Sequence, residues 1–293
     1  MTTPLYIHVD GALVPASEAK VSVFDAGFQS GDAVWEGLRV YNGTVLRLQD
    51  HLTRLEHSAK ALRITLPGSR EDIARALQET LDANNFRHDV HVRLMVTRGA
   101  RSTSGMDPRN APPRGCLVII AEHKPVEESP KPQRLRTSSI RRPNPQVLDP
   151  GIHHANQLNS ILARLEIWDD PGIDATLMLD TDGFVAEADT ANIFCVTGNT
   201  VRTPFATSCL HGITRATVLE EAATLGFETR EEKLSLFEFY CADEVFVTGT
   251  VCELVPVIEI DGRRIGTGQP GPAWRKLLDS YRARVTRETT QRP

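Results

Sequence analysis

The chain has 293 residues and a formal net charge of −5, with 40% hydrophobic and 24% charged residues. This length predicts one large domain or two of ordinary size, and the composition is typical of soluble globular proteins. The acidic balance argues against nucleic acid as the main partner, and no apolar run approaches the ~20 residues that span a bilayer.

The first half of the chain predicts hairpins followed by helices. PLYIHVDGALVP has two apolar runs around Asp10-Gly11, and WEGLRVYNGTVLRL repeats the pattern at Asn42-Gly43, so each predicts a β-hairpin. Apolar residues then recur at helical spacing from Leu48 to Leu62. SREDIARALQETLDANN predicts a second helix with Ser69 as its N-cap. VHVRLMVTRG and GCLVIIAEH predict strands.

The second half follows a stretch rich in proline and charge, which predicts an interdomain linker at residues 123–133. ANQLNSILARLEIW predicts a helix, ATLMLD, FVAEAD and NIFCV predict strands, and GITRATVLEEAATLG predicts a helix closed by Gly226. EFYCADEVFVTGT predicts a further strand. We therefore expect an α+β protein with an N-terminal domain at residues 1–122 and a C-terminal domain at residues 134–293.

Four motifs carry the chemistry: VWEGLRVYNGTVLRLQDHLTRLEHSAK, GFVAEADTANIF, HGITRATVLEEA and ADEVFVTGTVCELVPVIEIDGRRIGTGQPGP. In this order and spacing, over roughly residues 5 to 282, they resemble the class IV aminotransferases. These are the fold-type IV pyridoxal-phosphate enzymes, which include branched-chain and D-amino acid aminotransferases. The resemblance implies the two-domain fold-type IV architecture, with a smaller N-terminal domain, a larger cofactor-binding domain and a homodimer.

The resemblance assigns most of a cofactor site. Arg54 would bind the phosphate, a contact that guanidinium groups make well, although such an arginine is more often a solvated helix residue. Ile213 and Thr214 would add contacts at a helix start, where free N–H groups and the helix dipole favour anions. Thr250 would close the phosphate cup. Glu187 would pair with the pyridine nitrogen and keep it protonated.

The Schiff-base lysine of the family is missing. The family pattern resembles G-I-K-x-x-N, and in GIHHANQLNS the lysine position, three residues before Asn156, is His153, followed by His154. An imidazole is not a primary amine and cannot hold the cofactor covalently, but it can move protons near its reference pKa of ~6.5. His153 and His154 are therefore the catalytic candidates. A metal site would need further ligands, so no metal is expected.

Three interpretations stay open. In the first, the protein binds pyridoxal or pyridoxamine phosphate noncovalently and acts on a small amino acid or 2-keto acid, with absent or non-standard transaminase activity. In the second, a lyase or hydrolase uses His153 or His154 as acid or base without any pyridoxal cofactor. In the third, the protein is a catalytically silent homologue with a binding role.

Substrate and location are less specified. HVRLMVTRGARSTSG resembles the substrate side of the family site, and arginine suits a substrate carboxylate. The five cysteines form no C-x-x-C pair, and MTTPLYIHVDG lacks a signal peptide's basic and apolar regions. We expect a cytoplasmic protein with no nucleic-acid or membrane partner. The substrate-binding candidates are Arg39, Arg93, Arg98 and Arg101.

Overall fold

Two sheets, each with its own hydrophobic core, build the fold in the computed structural model, which describes residues 4–290. Both parts combine helices with sheets, which confirms the predicted α+β class. Among these residues, no helix is long and apolar enough to cross a membrane. The first unit consists of residues 4–126, 152–157 and 288–290, and the second of 127–151 and 158–287.

The chain passes between the units at 126/127, inside the predicted linker 123–133. The predicted domain limits, 1–122 and 134–293, stay a prediction. The two units cannot be divided at a single point in the sequence, because residues 152–157 belong to the first unit although they follow part of the second.

The first unit is a six-stranded antiparallel sheet in the order β2-β1-β6-β5-β3-β4, with two long helices. Both predicted hairpin turns are confirmed: Asp10 and Gly11 have φ of 46° and 97°, and Asn42 and Gly43 have φ of 50° and 72°. The elements are β1 (Tyr6–Val9), β2 (Ala12–Pro15), α1 (Ala26–Ser30), β3 (Ala33–Tyr41), β4 (Thr44–Val45), α2 (Leu48–Ala61), α3 (Arg70–Ala83), β5 (Val90–Thr97), a 3-10 turn (Pro108–Asn110) and β6 (Cys116–His123).

Helices α2 and α3 bury their apolar faces in the core of this sheet. Leu52, Leu55 and Ala59 of α2 pack with Leu77 of α3 against buried strand residues, as the helical spacing predicts. Ser69 caps α3 and forms a capping box with Asp72, which confirms the predicted helix start.

The second unit is a nine-stranded mixed sheet, in the order β12-β11-β10-β13-β14-β7-β8-β9 with β15 beside β14. β7 pairs parallel with both β14 and β8, and β11 pairs parallel with β12. The elements are β7 (Gln133–Thr137), α4 (Leu158–Leu165), β8 (Ala175–Leu179), β9 (Val185–Ala188), β10 (Asn192–Thr197), β11 (Thr200–Pro204), α5 (Ile213–Thr224), β12 (Glu228–Glu232), α6 (Leu236–Tyr240), β13 (Glu244–Gly249), β14 (Glu253–Ile260), β15 (Arg263–Arg264) and α7 (Pro272–Thr290). The last residues of α7, 288–290, belong to the first unit.

Two sequence predictions in this unit are corrected. The strand predicted from EFYC onward begins only at Glu244, because Ser235 and Glu238 form a capping box that starts the short helix α6. The helix predicted from ANQLNSILARLEIW begins at Leu158, because the residues before it pair with β3.

Helix α7 begins without a capping side chain of its own. Gly271 precedes it and Pro272 is its first residue, a position where the missing N–H costs nothing. The Glu244 carboxylate accepts the next two N–H groups, from Ala273 at 2.8 Å and Trp274 at 2.7 Å. Glu244 therefore anchors the buried Trp274 and the start of α7 to β13.

We predict that Glu244→Ala lowers the free energy of unfolding by about 1–2 kcal/mol, the usual cost of losing a helix cap. Urea denaturation measures the change. Glu18→Ala, which removes an exposed carboxylate, is the matched control and should change stability by less than about 0.5 kcal/mol. Equal stability of both variants would contradict the capping role.

Candidate functional site

Residues 152–157 lie along the first part of β3 like a short antiparallel strand. The Trp35 N–H donates to the His153 carbonyl at 3.0 Å, and the Ala155 N–H donates to the Ala33 carbonyl at 2.8 Å. A bridge between Val34 and His154 lies between these bonds. β3 therefore fixes the backbone of His153.

The carboxylate of Glu36 on β3 collects three side chains. Arg54 of α2 donates from Nε at 2.9 Å and from Nη2 at 2.7 Å, so the pair is bidentate. His51 of α2 contacts the same carboxylate through Nδ1 at 2.6 Å, and His153 does so through Nδ1 at 3.2 Å. The structure thus brings together two predicted site residues, Arg54 and His153, around a carboxylate that sequence reasoning missed.

Glu36 is 1% exposed and carries a charge despite its burial. Burial by itself raises the pKa of this carboxyl, but the hydrogen bond from His153 and the charge and hydrogen bonds of Arg54 outweigh it and hold the pKa well below its ordinary value. An ionised carboxylate only accepts hydrogen bonds. The cluster therefore contains one anion, one fixed cation and two imidazoles that donate to the anion.

His153 is mostly buried among residues of the first unit. Its ring centroid is 4.3 Å from that of Trp35, its backbone N–H donates to Ser58 Oγ at 3.0 Å, and its side chain is 12% exposed. Burial lowers the pKa of His153 to about 4, against the opposing charge of Glu36. The ring is therefore neutral at pH 7.

His154 is placed differently. Its carbonyl accepts from Trp35 Nε1 at 3.1 Å and from Gln157 Nε2 at 2.7 Å, so its backbone helps to hold the Trp35 ring. The Glu36 carboxylate contacts His153, not His154. Among residues 4–290, no group of three or more His, Cys, Asp or Glu side chains is arranged to hold a metal ion.

Glu187 on β9 is the buried carboxylate of the second unit. It pairs with Arg142 at 2.8 Å and accepts from Asn192 Nδ2 at 3.2 Å and from the Leu210 N–H at 3.3 Å. Burial raises its pKa to about 6, although Arg142 and the Leu210 hydrogen bond act in the opposite direction. An additional cation beside Glu187 would favour its ionised form.

The start of α5 offers unpaired backbone donors. Gly212 is the N-cap and provides no capping side chain, and the first intrahelical bond runs from Ala216 to the Gly212 carbonyl at 3.0 Å. The N–H groups of Ile213, Thr214 and Arg215 have no acceptor among the described residues. A helix start of this kind binds anions, phosphate in particular.

Asn192 links this helix start to Glu187. Its amide also donates to the Leu210 carbonyl at 2.9 Å, and a Cβ on Gly212 would lie 2.0 Å from its Oδ1. The glycine is therefore required for close approach. One asparagine thus fixes both the buried carboxylate and the turn that exposes the helix N–H groups.

Thr250 follows β13, the strand against which α5 packs. On the same strand Thr248 is 1% exposed, and its Oγ1 has no hydrogen-bond partner in the described part of the chain. A buried hydroxyl without a partner carries a desolvation cost and can be satisfied by a bound polar group. Thr248 is a polar residue that the sequence reasoning did not single out.

The four arginines predicted for the substrate differ in their surroundings. Arg39 is 2% exposed and donates to the Lys124 carbonyl. Arg98 and Arg101 both pair with Asp32, at 2.6 Å and 3.2 Å. Arg93 lies 4.1 Å from the centroid of the Trp35 ring and makes no ion pair or hydrogen bond within residues 4–290. Their substrate roles stay predictions.

The residues that sequence reasoning missed are mostly partners of those it found. Glu36 had a signal: it is a lone acid inside the apolar run VWEGL, and a buried acid requires donors. No signal in the sequence marked the other missed residues, because their roles depend on contacts made only in the folded chain. These residues are His51, Trp35, Arg142 and Asn192.

Known proteins resemble this chain along almost its whole length. Residues 33–260 match the family model for class IV amino-transferases. Branched-chain-amino-acid aminotransferase-like protein 2 of Arabidopsis thaliana is 47% identical over 95% of this chain and 50% of its own length, so the chain spans about half of that relative. A putative branched-chain-amino-acid aminotransferase of Methanocaldococcus jannaschii is 42% identical over 94% of this chain and 95% of its own.

A solved structure agrees with the fold. The branched-chain amino acid aminotransferase of T.th., complexed with N-(5'-phosphopyridoxyl)-L-glutamate, superposes with a TM-score of 0.91 at 33% identity, over 100% of this chain and 97% of that one. The same enzyme has also been solved with pyridoxamine 5'-phosphate. The match confirms the fold-type IV architecture.

Acidification should destabilise the protein through His153. Its pKa is about 4 in the folded protein and ~6.5 when exposed, so the folded state favours the neutral ring. This contribution is complete above about pH 6.5 and is lost as the pH falls toward 4. At ~1.4 kcal/mol per pKa unit, His153 should account for on the order of 3 kcal/mol of that loss.

Urea denaturation at pH 7 and at pH 4.5 measures this effect. His153→Asn should reduce the loss of stability on acidification, whereas His57→Asn, which removes an exposed histidine of α2, should leave it as in the parent. An unchanged pH dependence in His153→Asn would contradict the buried neutral ring.

Proposed function

Because the chain belongs to the class IV aminotransferases, we propose that it binds pyridoxal or pyridoxamine 5'-phosphate noncovalently and acts on a small amino acid or 2-keto acid. The solved relative with pyridoxamine 5'-phosphate supports the cofactor, and the relatives named as branched-chain amino acid aminotransferases support the substrate class. His153 at the lysine position makes transaminase activity absent or non-standard.

The residues of the second unit fit the cofactor. The observation that carries the proposal is the start of α5, where three backbone N–H groups lack an acceptor among the described residues and suit a phosphate. Glu187 is a buried carboxylate suited to a protonated pyridine nitrogen. Thr250 follows the strand packed against α5 and would add a hydroxyl.

Arg54 is the proposed phosphate ligand of the first unit. Its bidentate pair with Glu36 fixes the orientation of the guanidinium, which supports a directed contact rather than a solvated side chain.

When bound, pyridoxal phosphate supplies an electron sink for a carbanion at the substrate carbon. Glu187 would keep the proton on the ring nitrogen, and the N–H groups of Ile213 and Thr214 would hold the phosphate. His153 would move the proton, a task for which a positioned imidazole is typically worth ~10²–10⁴-fold. Without an amine at position 153, the chain holds the cofactor by noncovalent contacts alone.

Arg93 is the substrate-carboxylate candidate that the surroundings support best. Its guanidinium lies on the Trp35 ring and is not paired with an acid within residues 4–290, whereas Arg98 and Arg101 are paired with Asp32. Trp35 in turn contacts His153, so Arg93 and the proton-transfer candidate lie on the same aromatic ring.

We also propose a cytoplasmic homodimer. Helix α4 and the turn after it expose an apolar stripe, which supports association with a second copy because monomers rarely expose contiguous apolar patches. The five cysteines form no disulfide within residues 4–290, which supports a reducing compartment. The stripe consists of Leu158, Ile161, Leu162, Leu165 and Trp168, each at least 42% exposed.

A second candidate function is a lyase or hydrolase without pyridoxal phosphate that uses His153 or His154 as acid or base. The Glu36–His153 contact favours it, because a carboxylate behind an imidazole is a common arrangement for acid–base catalysis. The two functions differ in a measurable way, since only the first requires binding of a pyridoxal form.

Ile213→Pro tests the helix start directly. Proline is tolerated at the first helical position and removes one N–H, and Gly212, with φ −64° and ψ 134°, already has the extended conformation that a residue before proline prefers. We expect affinity for pyridoxal phosphate to fall about 10-fold or more, since charge-assisted hydrogen bonds contribute ~1.5–3 kcal/mol. Absorbance titration measures it, and Ile213→Val, which keeps the N–H, should bind like the parent.

His153→Lys should attach the cofactor covalently. The backbone bonds to Trp35 and Ala33 fix the position of residue 153, so an amine there should form a bond to pyridoxal phosphate that borohydride makes permanent. The parent should release all cofactor on denaturation. Peptide mass spectrometry should locate the adduct at position 153.

His154→Lys is the matched control and should not be trapped. An adduct at 154 instead of 153 would show that the lysine position is displaced by one residue. If none of the three proteins binds any pyridoxal form, the cofactor proposal fails and the second candidate function replaces it.

A further inference from the structure

The hydrogen-bond chemistry of Glu36 determines where the protons of two histidines lie. Both His51 and His153 contact this carboxylate through Nδ1. An ionised carboxylate has no proton to donate, so each contact requires a hydrogen on Nδ1. His153 is neutral at pH 7 and carries only one ring hydrogen, and therefore its Nε2 holds a lone pair.

Arg54 keeps the carboxylate in its accepting form. Its guanidinium is always protonated and forms a bidentate pair with Glu36, so the negative charge is neutralised without a charged histidine. Had Glu36 been neutral, its hydroxyl could donate to Nδ1 and reverse the tautomer. The arginine thus excludes that arrangement.

His153 is further restrained on its ring face and backbone. Trp35 packs against the ring, and Ser58 accepts the His153 N–H. Nε2 makes no hydrogen bond within residues 4–290, and the side chain keeps 12% of its surface exposed. Nε2 is therefore the ring nitrogen left to exchange a proton.

We propose that Glu36 is a positioning residue that fixes His153 as its Nδ1–H tautomer, so that Nε2 is the atom through which His153 takes up and returns a proton. The catalytic use of this atom rests on the proposed function, but the tautomer does not. In the transfer Nε2 uses its lone pair to bind the proton, and the electron pair of the broken bond stays on the substrate atom. Glu36 stays ionised and faces the imidazolium that forms.

The same carboxylate also aligns Arg54, the proposed phosphate ligand. Glu36 therefore couples two functions, because loss of its charge would release both the imidazole and the guanidinium. Charged or titratable groups face His153 from three elements and from its own segment. They are Glu36 on β3, His51 and Arg54 on α2, Arg93 on β5, which contacts the Trp35 ring, and the neighbouring His154.

The test is the nitrogen-15 NMR spectrum of the full chain labelled at histidine, recorded without added cofactor near pH 7. The His153 signals are assigned by their loss in His153→Asn. We expect a protonated Nδ1 and an unprotonated Nε2 as the main form, given the hydrogen bond to an ionised acceptor. Detection of the Nε2–H tautomer as the main form would overturn the proposal.

Glu36→Gln supplies a second measurement. An amide has both a donor and an acceptor, so His153 should become a mixture of tautomers and its titration midpoint should change. Glu56→Gln is the control. It removes another carboxylate of α2, which pairs with Arg70 of α3, and it should leave the His153 signals unchanged. Unchanged signals in folded Glu36→Gln would also overturn the proposal.

If Glu36→Gln does not fold, the parent spectrum alone decides. The outcome is independent of the cofactor, because the spectrum is recorded in its absence. A protein that fails to bind pyridoxal phosphate but shows the Nδ1–H tautomer would contradict the proposed function and leave this inference standing.

Discussion

The buried carboxylate of Glu36 is the interaction on which the first unit and its candidate site depend. An acid with 1% exposure requires donors, and here they come from α2 and from the returning segment 152–157. Breaking such a buried pair by removing one partner typically costs ~3–5 kcal/mol. One interaction therefore joins β3, α2 and residues distant in sequence, and it places His153.

Local features of the fold were predictable because their signals lie in adjacent residues. Asp10-Gly11 and Asn42-Gly43 adopt left-handed turns that few other pairs tolerate, and the Ser69 capping box marks the start of α3. The contact between Glu36 and His153 spans 117 residues, and no local pattern announces it. The sequence indicated His153 as a site residue only through the motif around it.

The candidate site in the second unit shows the same division. Motif resemblance indicated Glu187 and the start of α5, but not that Asn192 bonds to both the Glu187 carboxylate and the turn before Gly212. That turn exposes the helix N–H groups only because glycine lets Asn192 approach closely. One amide thus holds both the buried Glu187 carboxylate and the turn that exposes the helix N–H groups.

A lysine amine can both form a covalent bond to the cofactor and move protons, whereas the imidazole of His153 can only move protons. A lysine ammonium offers donors but no acceptor, and it acts as a base only after losing its proton. His153 donates through Nδ1 to Glu36 and still keeps a lone pair on Nε2 at neutral pH, because burial favours the neutral ring. A neutral His153 can be buried beside Glu36 because the charge of Arg54 already balances the charge of the carboxylate. Under the proposed function, this arrangement would allow His153 to transfer protons while the cofactor is held by noncovalent contacts.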